Sequence, residues 1–163
     1  VQLVFDNKVI LGTRAAQDAT RSFNAFSSID YPETAVFRDT RLVTFLRRPA
    51  DQPPVRFYER LEPAVFVLRL VPGMRADIIP LLAPHYRALV LESFGVGGLP
   101  GGEHGEMFAA LRRWCESGRL AVFTTQVPHE GCDLAVYEVG RAVGELPGVL
   151  EARDMTPEAV AVS

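Results

Sequence analysis

Hydroxyl side chains at the ends of two apolar runs are the first candidates for chemistry in this sequence. Ser93 follows one run, but it lacks the GxSxG pattern that places a serine nucleophile on a strained, exposed turn. Thr124 and Thr125 follow another run, where hydroxyl groups either face a site or cap a loop. The sequence around these residues predicts no nucleophile.

The other reactive side chains are isolated from one another along the chain. They are His85, His104, His129, Cys115 and Cys132. Glu130 is adjacent to His129, but sequence neighbours do not converge on one atom without help from the fold. No CxxC or His/Cys spacing indicates a zinc site, and two cysteines do not make a disulfide framework. We expect reduced thiols, no metal and no cofactor.

A glycine-rich loop, Gly95-Val96-Gly97-Gly98, follows a predicted strand and precedes a predicted helix. Open α/β sheets bind ligands at such places. A dinucleotide fingerprint would need a third glycine where Pro100 stands, so a nucleotide site is disfavoured. The loop is either a sharp turn that needs positive φ angles or a loop that faces a small ligand.

Composition and charge are those of an ordinary globular chain. Its 163 residues are 48% hydrophobic and 23% charged, with a formal net charge of -3. The arginine pairs at 47–48 and 112–113 are interpreted as solvated surface rather than as a basic field for nucleic acid. No apolar stretch approaches the roughly 18 residues of a membrane span, and no signal peptide is visible. We expect a cytoplasmic protein that binds neither nucleic acid nor membrane.

Apolar runs alternate with helix-like segments from position 64 onward. The runs at 64–71, 87–92 and 120–123 predict strands, the first of them covered on both faces. A short helix is expected at 76–84, a longer amphipathic one after Gly105, and a further one at 137–146. The apolar side of the longer helix consists of Met107, Phe108, Leu111, Trp114 and Cys115. This alternation predicts an α/β fold with a parallel sheet of about three to four strands flanked by helices.

The residues before position 63 have a different character. Short apolar runs on either side of Asp6-Asn7-Lys8 predict a β-hairpin over 1–11, separate from the parallel sheet. The best linker candidate is the proline-containing segment 50–54. We therefore expect three regions, at 1–45, 46–62 and 63–163. The chain opens in an apolar run without Met and stops within a helix-like start, which predicts a fragment of a longer protein.

The order of these segments resembles the L-asparaginase family. FDNK at 5–8, RAAQ at 14–17 and FNAF at 23–26 are similar to the hairpin and loop that close the family's N-terminal domain. LVLESFGVGG at 89–98 resembles the second strand of its C-terminal domain with the glycine-rich turn. DMTPEA at 154–159 is similar to the signature that opens the last helix, most like the cytoplasmic type I branch. The resemblance extends over essentially the whole chain.

This resemblance implies an amidohydrolase that converts L-asparagine and water to L-aspartate and ammonia. In the family a threonine hydroxyl attacks the side-chain amide, ammonia leaves, and water hydrolyses the acyl-enzyme. The family's two threonine segments, of TGGTI-like and HGTDT-like sequence, do not occur here. Family active sites lie between the N-terminal domain of one subunit and the C-terminal domain of its partner. The resemblance thus implies a homo-oligomer with Gly97 and Gly98 near the substrate across the dimer.

Several positions depart from the family pattern. The family lysine that partners the second threonine corresponds to Gln17, which can neither carry a positive charge nor accept a proton. The family asparagine after the glycine turn corresponds to Gly98, which has no side chain to donate. An arginine and a cysteine line a regulatory asparagine site in the cytoplasmic branch, and they correspond to Glu92 and Val127. A carboxylate at position 92 would repel the carboxylate of a bound amino acid.

Three functions stay open on the sequence. The leading hypothesis is part of an L-asparaginase-like amidohydrolase, inactive by itself because its nucleophile segments lie outside this chain. The second is a non-catalytic asparaginase-like module that binds a small amino acid or its partner subunits. The third is an unrelated α/β binding protein, which the sheet topology would distinguish.

Overall fold

A two-residue turn at Asp6-Asn7 folds the start of the chain back on itself. In the computed structural model, which describes residues 1–47 and 54–163, strands β1 (Gln2–Phe5) and β2 (Lys8–Leu11) are antiparallel. Asp6 and Asn7 have φ angles of 46° and 62°, in the left-handed region that Asp and Asn tolerate better than most side chains. The predicted hairpin and its polar turn are confirmed.

The hairpin belongs to a larger antiparallel sheet. Strands β3 (Ala15–Gln17) and β4 (Phe26–Ser28) pair with each other, and β5 (Ala35–Arg38) and β6 (Arg41–Thr44) extend the hairpin to four strands in the order β1-β2-β5-β6. The ring of Phe5 lies 5.5 Å from that of Phe23 and 5.1 Å from that of Phe26. As predicted, the hairpin is not part of the parallel sheet. Strands β3, β4 and β5 were not predicted, since three or four residues show little alternation.

Four parallel strands form the sheet of the second half. They are β7 (Val65–Arg69), β8 (Ala88–Ser93), β9 (Leu120–Thr125) and β10 (Val149–Glu151), in the spatial order β10-β9-β8-β7. Leu89, Val90 and Leu91 in β8 are all buried, which explains the unbroken apolar run. The predicted parallel α/β fold is confirmed. Strand β10 was not predicted because it is short and largely exposed.

Helices cover both faces of this sheet. They are α1 (Ile78–Leu82), α2 (Glu106–Glu116), α3 (Glu138–Gly144) and α4 (Pro157–Ala161). Leu91 and Phe123 share one core with Leu111 and Trp114 of α2. Helix α4 contacts β7, β8 and β9 but contributes nothing to that core, so it lies on the opposite face. The strand ends are thereby held between two helical layers.

The predicted division of the chain into three regions stays a prediction. The linker segment 50–54 lies outside the described residues apart from Pro54, and residues 54–62 form neither helix nor strand. Among the described residues, no helix is both long and apolar enough to cross a membrane.

Candidate functional site

The glycine-rich loop after β8 is a closed turn. The backbone N–H of Phe94 donates to the carbonyl oxygen of Gly98 at 3.1 Å, and that of Gly98 donates to the carbonyl oxygen of Phe94 at 2.7 Å. Gly95 and Gly97 have φ angles of 50° and 141°, which residues with a side chain rarely adopt. The geometry agrees with the sharp turn, one of the two interpretations that the sequence left open.

The surroundings of Gly97 and Gly98 differ. A Cβ atom at Gly97 would lie 2.6 Å from Cδ2 of Leu134. At Gly98 it would lie 3.1 Å from the carbonyl oxygen of Phe94 and 3.2 Å from its Cβ, and the backbone there does not have a positive φ. A side chain at position 98 therefore requires Phe94 to move by a few tenths of an ångström, whereas one at position 97 requires both a positive φ and a larger displacement of Leu134.

The hydroxyl groups near this turn hold the strand ends together. Ser93 Oγ donates to the carbonyl oxygen of Thr124 at 2.8 Å. Thr125 Oγ1 donates to the carbonyl oxygen of Gly95 at 2.5 Å and accepts from the N–H of Val127 at 3.0 Å. No imidazole is among these described partners, so the hydroxyl groups of Ser93 and Thr125 lack the base that a nucleophile needs. They secure the turn against β9.

Glu92 is neutralised by a residue that the sequence reasoning did not single out. Its carboxylate lies 3.3 Å from Nη1 of Arg69, its register partner on β7, and the Glu92 side chain is 15% exposed. Gln126 Nε2 donates to the carbonyl oxygens of Leu70 and Glu92, at 2.5 and 2.8 Å. Position 92 therefore carries an ion pair rather than a free carboxylate. The pairing of Arg69 with Glu92 depends on strand register, which a single sequence does not specify.

Gln17 lies in a different sheet from the glycine turn. It is the exposed last residue of β3, opposite Phe26, and its Nε2 donates to the carbonyl oxygen of Ala19 at 3.3 Å. Gly97 and Gly98 follow β8 of the parallel sheet. Within the described residues, Gln17 therefore does not share one continuous site with Gly97 and Gly98.

A cleft that the sequence did not predict opens beside the turn. Its volume is about 560 Å³, and its lining combines five carboxylates with one guanidinium group. The lining residues are Asp30, Glu130, Gly131, Cys132, Asp133, Glu151, Arg153 and Asp154. They come from three distant parts of the sequence, so spacing gave no signal for them. Within residues 1–47 and 54–163, no His, Cys, Asp or Glu side chains are grouped so as to hold a metal ion.

The cysteines are protected from reaction. Burial, with a smaller contribution from Glu151, raises the pKa of the Cys132 thiol from 9.0 to about 12, and its Sγ donates to the carbonyl oxygen of Val96 at 3.6 Å. Burial likewise raises the pKa of Cys115 to about 11. Because the thiolate is the reactive form, both thiols should stay inert at pH 8. An aromatic disulfide reagent should label neither until denaturant is added, and rapid labelling of the native chain would contradict this.

A parallel α/β domain carries a glycine turn at the carboxyl end of a central strand, and a small antiparallel sheet precedes it. Residues 64–163 match the Glutaminase/Asparaginase C-terminal domain family. The chain belongs to the glutaminase/asparaginase family through this domain, which confirms the resemblance seen in the sequence.

Two curated relatives illustrate this membership. The chain is 36% identical over 160 residues to an L-asparaginase of Thermococcus kodakarensis, a match that covers 98% of this chain and 48% of that protein. It is 30% identical over 152 residues to a glutamyl-tRNA(Gln) amidotransferase subunit of Pyrococcus furiosus, covering 90% of this chain and 33% of that one. The chain thus spans about half the length of the L-asparaginase and a third of the amidotransferase subunit.

Solved structures agree with the sequence relatives. The thermostable L-asparaginase from Thermococcus kodakarensis superposes with a TM-score of 0.88 at 32% identity, covering 99% of this chain and 48% of that one. L-asparaginase I from Vibrio cholerae superposes with a TM-score of 0.82 at 27% identity, covering 99% and 49%. The sheet topology therefore disfavours the third hypothesis, an unrelated α/β binding protein.

Proposed function

We propose that the chain is the C-terminal half of an L-asparaginase-type amidohydrolase, which converts L-asparagine and water to L-aspartate and ammonia. One observation carries the proposal. The likeness to the Thermococcus kodakarensis L-asparaginase covers 98% of this chain, so it includes the region before residue 64 as well as the matched family domain. An isolated C-terminal module would explain the likeness within residues 64–163 but not the likeness before residue 64.

In this proposal the chain supplies the frame of the active site and another segment supplies the nucleophile. Residues 1–45 are the end of the N-terminal domain, 46–62 the linker, and 63–163 the C-terminal domain. The threonine that attacks the amide lies outside this chain, which agrees with the bonding of the Ser93 and Thr125 hydroxyl groups to backbone groups. Threonine acyl transfer needs no cofactor.

The glycine turn approaches the substrate from a second subunit. Gly97 and Gly98 lie across the dimer from the N-terminal domain that holds the nucleophile, so the enzyme is a homo-oligomer. We place it in the cytoplasm, as in the family branch that the sequence resembles most. The closed turn, with Gly98 bonded to Phe94 in both directions, gives this edge a fixed shape. A rigid edge is what a small amino-acid amide requires for orientation.

Two observations favour other functions. Gln17 and Gly98, at the positions of the family lysine and asparagine, favour a non-catalytic asparaginase-like module for amino-acid binding or subunit assembly. The 30% identity to the glutamyl-tRNA(Gln) amidotransferase protein of Pyrococcus furiosus favours a component of a larger amidotransferase. We place the amidohydrolase first because the match to the L-asparaginase is both closer and more complete.

A fusion protein tests the proposal. It joins the part of the Thermococcus kodakarensis L-asparaginase that precedes the matched region to residues 1–163 of this chain. We expect it to release ammonia from L-asparagine, and to stop doing so when both family threonines are replaced by alanine. A folded, dimeric fusion that binds asparagine without releasing ammonia would favour the non-catalytic module instead.

Replacing Gly98 by asparagine should raise the rate of the fusion protein modestly. The side chain needs a movement of Phe94 by a few tenths of an ångström, and it would offer one hydrogen bond to the neighbouring active site. Such a bond contributes about 0.5–1.5 kcal/mol, or up to about tenfold in rate. Steady-state ammonia release measures the effect, and a Gly97→Asn variant is the matched control because its left-handed backbone and Leu134 oppose a side chain. An equal gain from both variants would contradict the assignment.

A further inference from the structure

An arginine–aspartate pair joins the first part of the chain to the parallel-sheet domain. Arg14 ends a short 3₁₀ helix, Gly12–Arg14, which lies between β2 and β3. Its Nη2 donates to Oδ1 of Asp154, a residue that lies shortly before α4. The Arg14 side chain is 20% exposed and that of Asp154 is 33% exposed. Because the pair is partly shielded from water, breaking it costs more than breaking an exposed pair.

Backbone contacts fix the same junction. The N–H of Thr156, the residue that caps α4, donates to the carbonyl oxygen of Thr13 at 3.1 Å. Helix α4 contacts the 3₁₀ helix on one side and strands β7, β8 and β9 on the other. The 3₁₀ helix is therefore held to the parallel sheet through the start of α4.

The surroundings of the Arg14 guanidinium group show what Asp154 contributes. Arg14 Nη1 donates to Thr13 Oγ1 at 2.5 Å, and its guanidinium carbon lies 5.5 Å from the centroid of the Tyr31 ring. Its Nε is buried and has no hydrogen-bond partner among the residues that the structure describes. Asp154 is thus the described anion that compensates the guanidinium, and removing its charge would leave a partly buried cation unpaired.

Strand β3 begins immediately after Arg14. The carbonyl oxygen of Arg14 accepts from the N–H of Ile29 at 2.9 Å, which continues the pairing of β3 with β4. Gln17 ends β3, and at about 3.3 Å per residue it lies about 10 Å from Arg14. A displacement of Arg14 would pass along this short strand to position 17.

We propose that Arg14 and Asp154 are a positioning pair through which the parallel-sheet domain fixes strand β3, and with it the side chain at position 17. The importance of position 17 for the reaction rests on the proposed function. The mechanical coupling of Asp154 to β3 concerns the fold alone. The two parts can therefore be tested separately.

Hydrogen exchange of the 163-residue chain tests the coupling. Asp154→Asn keeps the size of the side chain and removes its charge. We expect the amides of β3 and β4 to exchange at least about tenfold faster, since hydrogen bonds to charged groups are stronger than neutral ones. The amides of β8 should exchange as before. The charge-swapped chain with Arg14→Asp and Asp154→Arg should recover part of the protection.

The matched control is another arginine–aspartate pair on the same chain. Asp77 lies 2.7 Å from Nη2 of Arg75, but both side chains are more than half exposed, and Asp77 is the residue that precedes α1. Asp77→Asn should leave exchange in β3 unchanged. If Asp154→Asn unfolds the whole chain, Arg14→Lys serves as the milder variant, which keeps the charge and loses the bond to Thr13. Unchanged exchange in β3 for every variant that folds, or an equal effect of Asp77→Asn, would overturn the proposal.

The catalytic consequence is measured in the fusion protein. In the fusion protein that carries Gln17→Lys, Asp154→Asn should lower kcat for L-asparagine about tenfold with little change in KM, and the charge swap should restore part of kcat. A fusion protein that is inactive in every form would count against the proposed function and leave the exchange result standing. Faster exchange in β3 with an unchanged kcat would show that the pair is structural only and would overturn its positioning role.

Discussion

Replacing Gln17 by lysine in the fusion protein should raise the rate of ammonia release from L-asparagine by about 10²–10⁴, the usual contribution of general acid–base assistance. A neutral lysine can accept the threonine's proton, and a protonated one stabilises the negative charge that remains. Glutamine does neither. The substitution should cost the fold little, because Gln17 is exposed and its described side-chain bond is a 3.3 Å contact within its own loop.

A lysine at a neighbouring exposed position serves as the control for the gain in rate. Thr20 is also exposed and lies three residues beyond Gln17, so Thr20→Lys adds a cation to the region without occupying the family lysine position. It should change the rate little. If Gln17→Lys, shown to be folded and dimeric, has no effect, position 17 does not take part in threonine activation in this protein.

The 163-residue chain by itself should release no more ammonia from L-asparagine than buffer does. Because the fusion protein should release ammonia, the expected difference between the two is all or none. The hydroxyl groups of Ser93 and Thr125 are bonded to backbone groups of the neighbouring strand and of the turn. Turnover by the isolated chain that is abolished by Thr124→Ala or Thr125→Ala would identify a nucleophile among residues that we interpret as structural. Turnover that survives both changes would place the chemistry elsewhere in the chain.

The parallel sheet could be predicted because its strands are long and buried. An apolar run such as 87–92 has few alternatives when helices precede and follow it, and the periodic apolar residues of α2 have the spacing of a helix packed on a sheet. The short strands β3, β4, β5 and β10 could not be predicted in this way. Tertiary pairing, rather than their own sequence, places them in their sheets.

Only the part of the candidate site that is formed by neighbouring residues could be predicted from the sequence. The glycine turn at 95–98 follows from residue types that need positive φ angles, and the structure confirms it. The pairing of Arg69 with Glu92 and of Arg14 with Asp154 brings together residues 23 and 140 positions apart. Such contacts depend on strand register and on the seating of α4, which residue spacing does not reveal. The resemblance drew attention to Glu92 and Gln17 but not to the residues that hold them.

The most direct test of the proposed function compares ammonia release from L-asparagine by the fusion protein with release by its two parts, each at the same molar concentration. We predict turnover by the fusion, increased by Gln17→Lys, and none by either part alone. A folded and dimeric fusion that stays silent both as it is and with Gln17→Lys would contradict the claim that this chain completes an asparaginase active site.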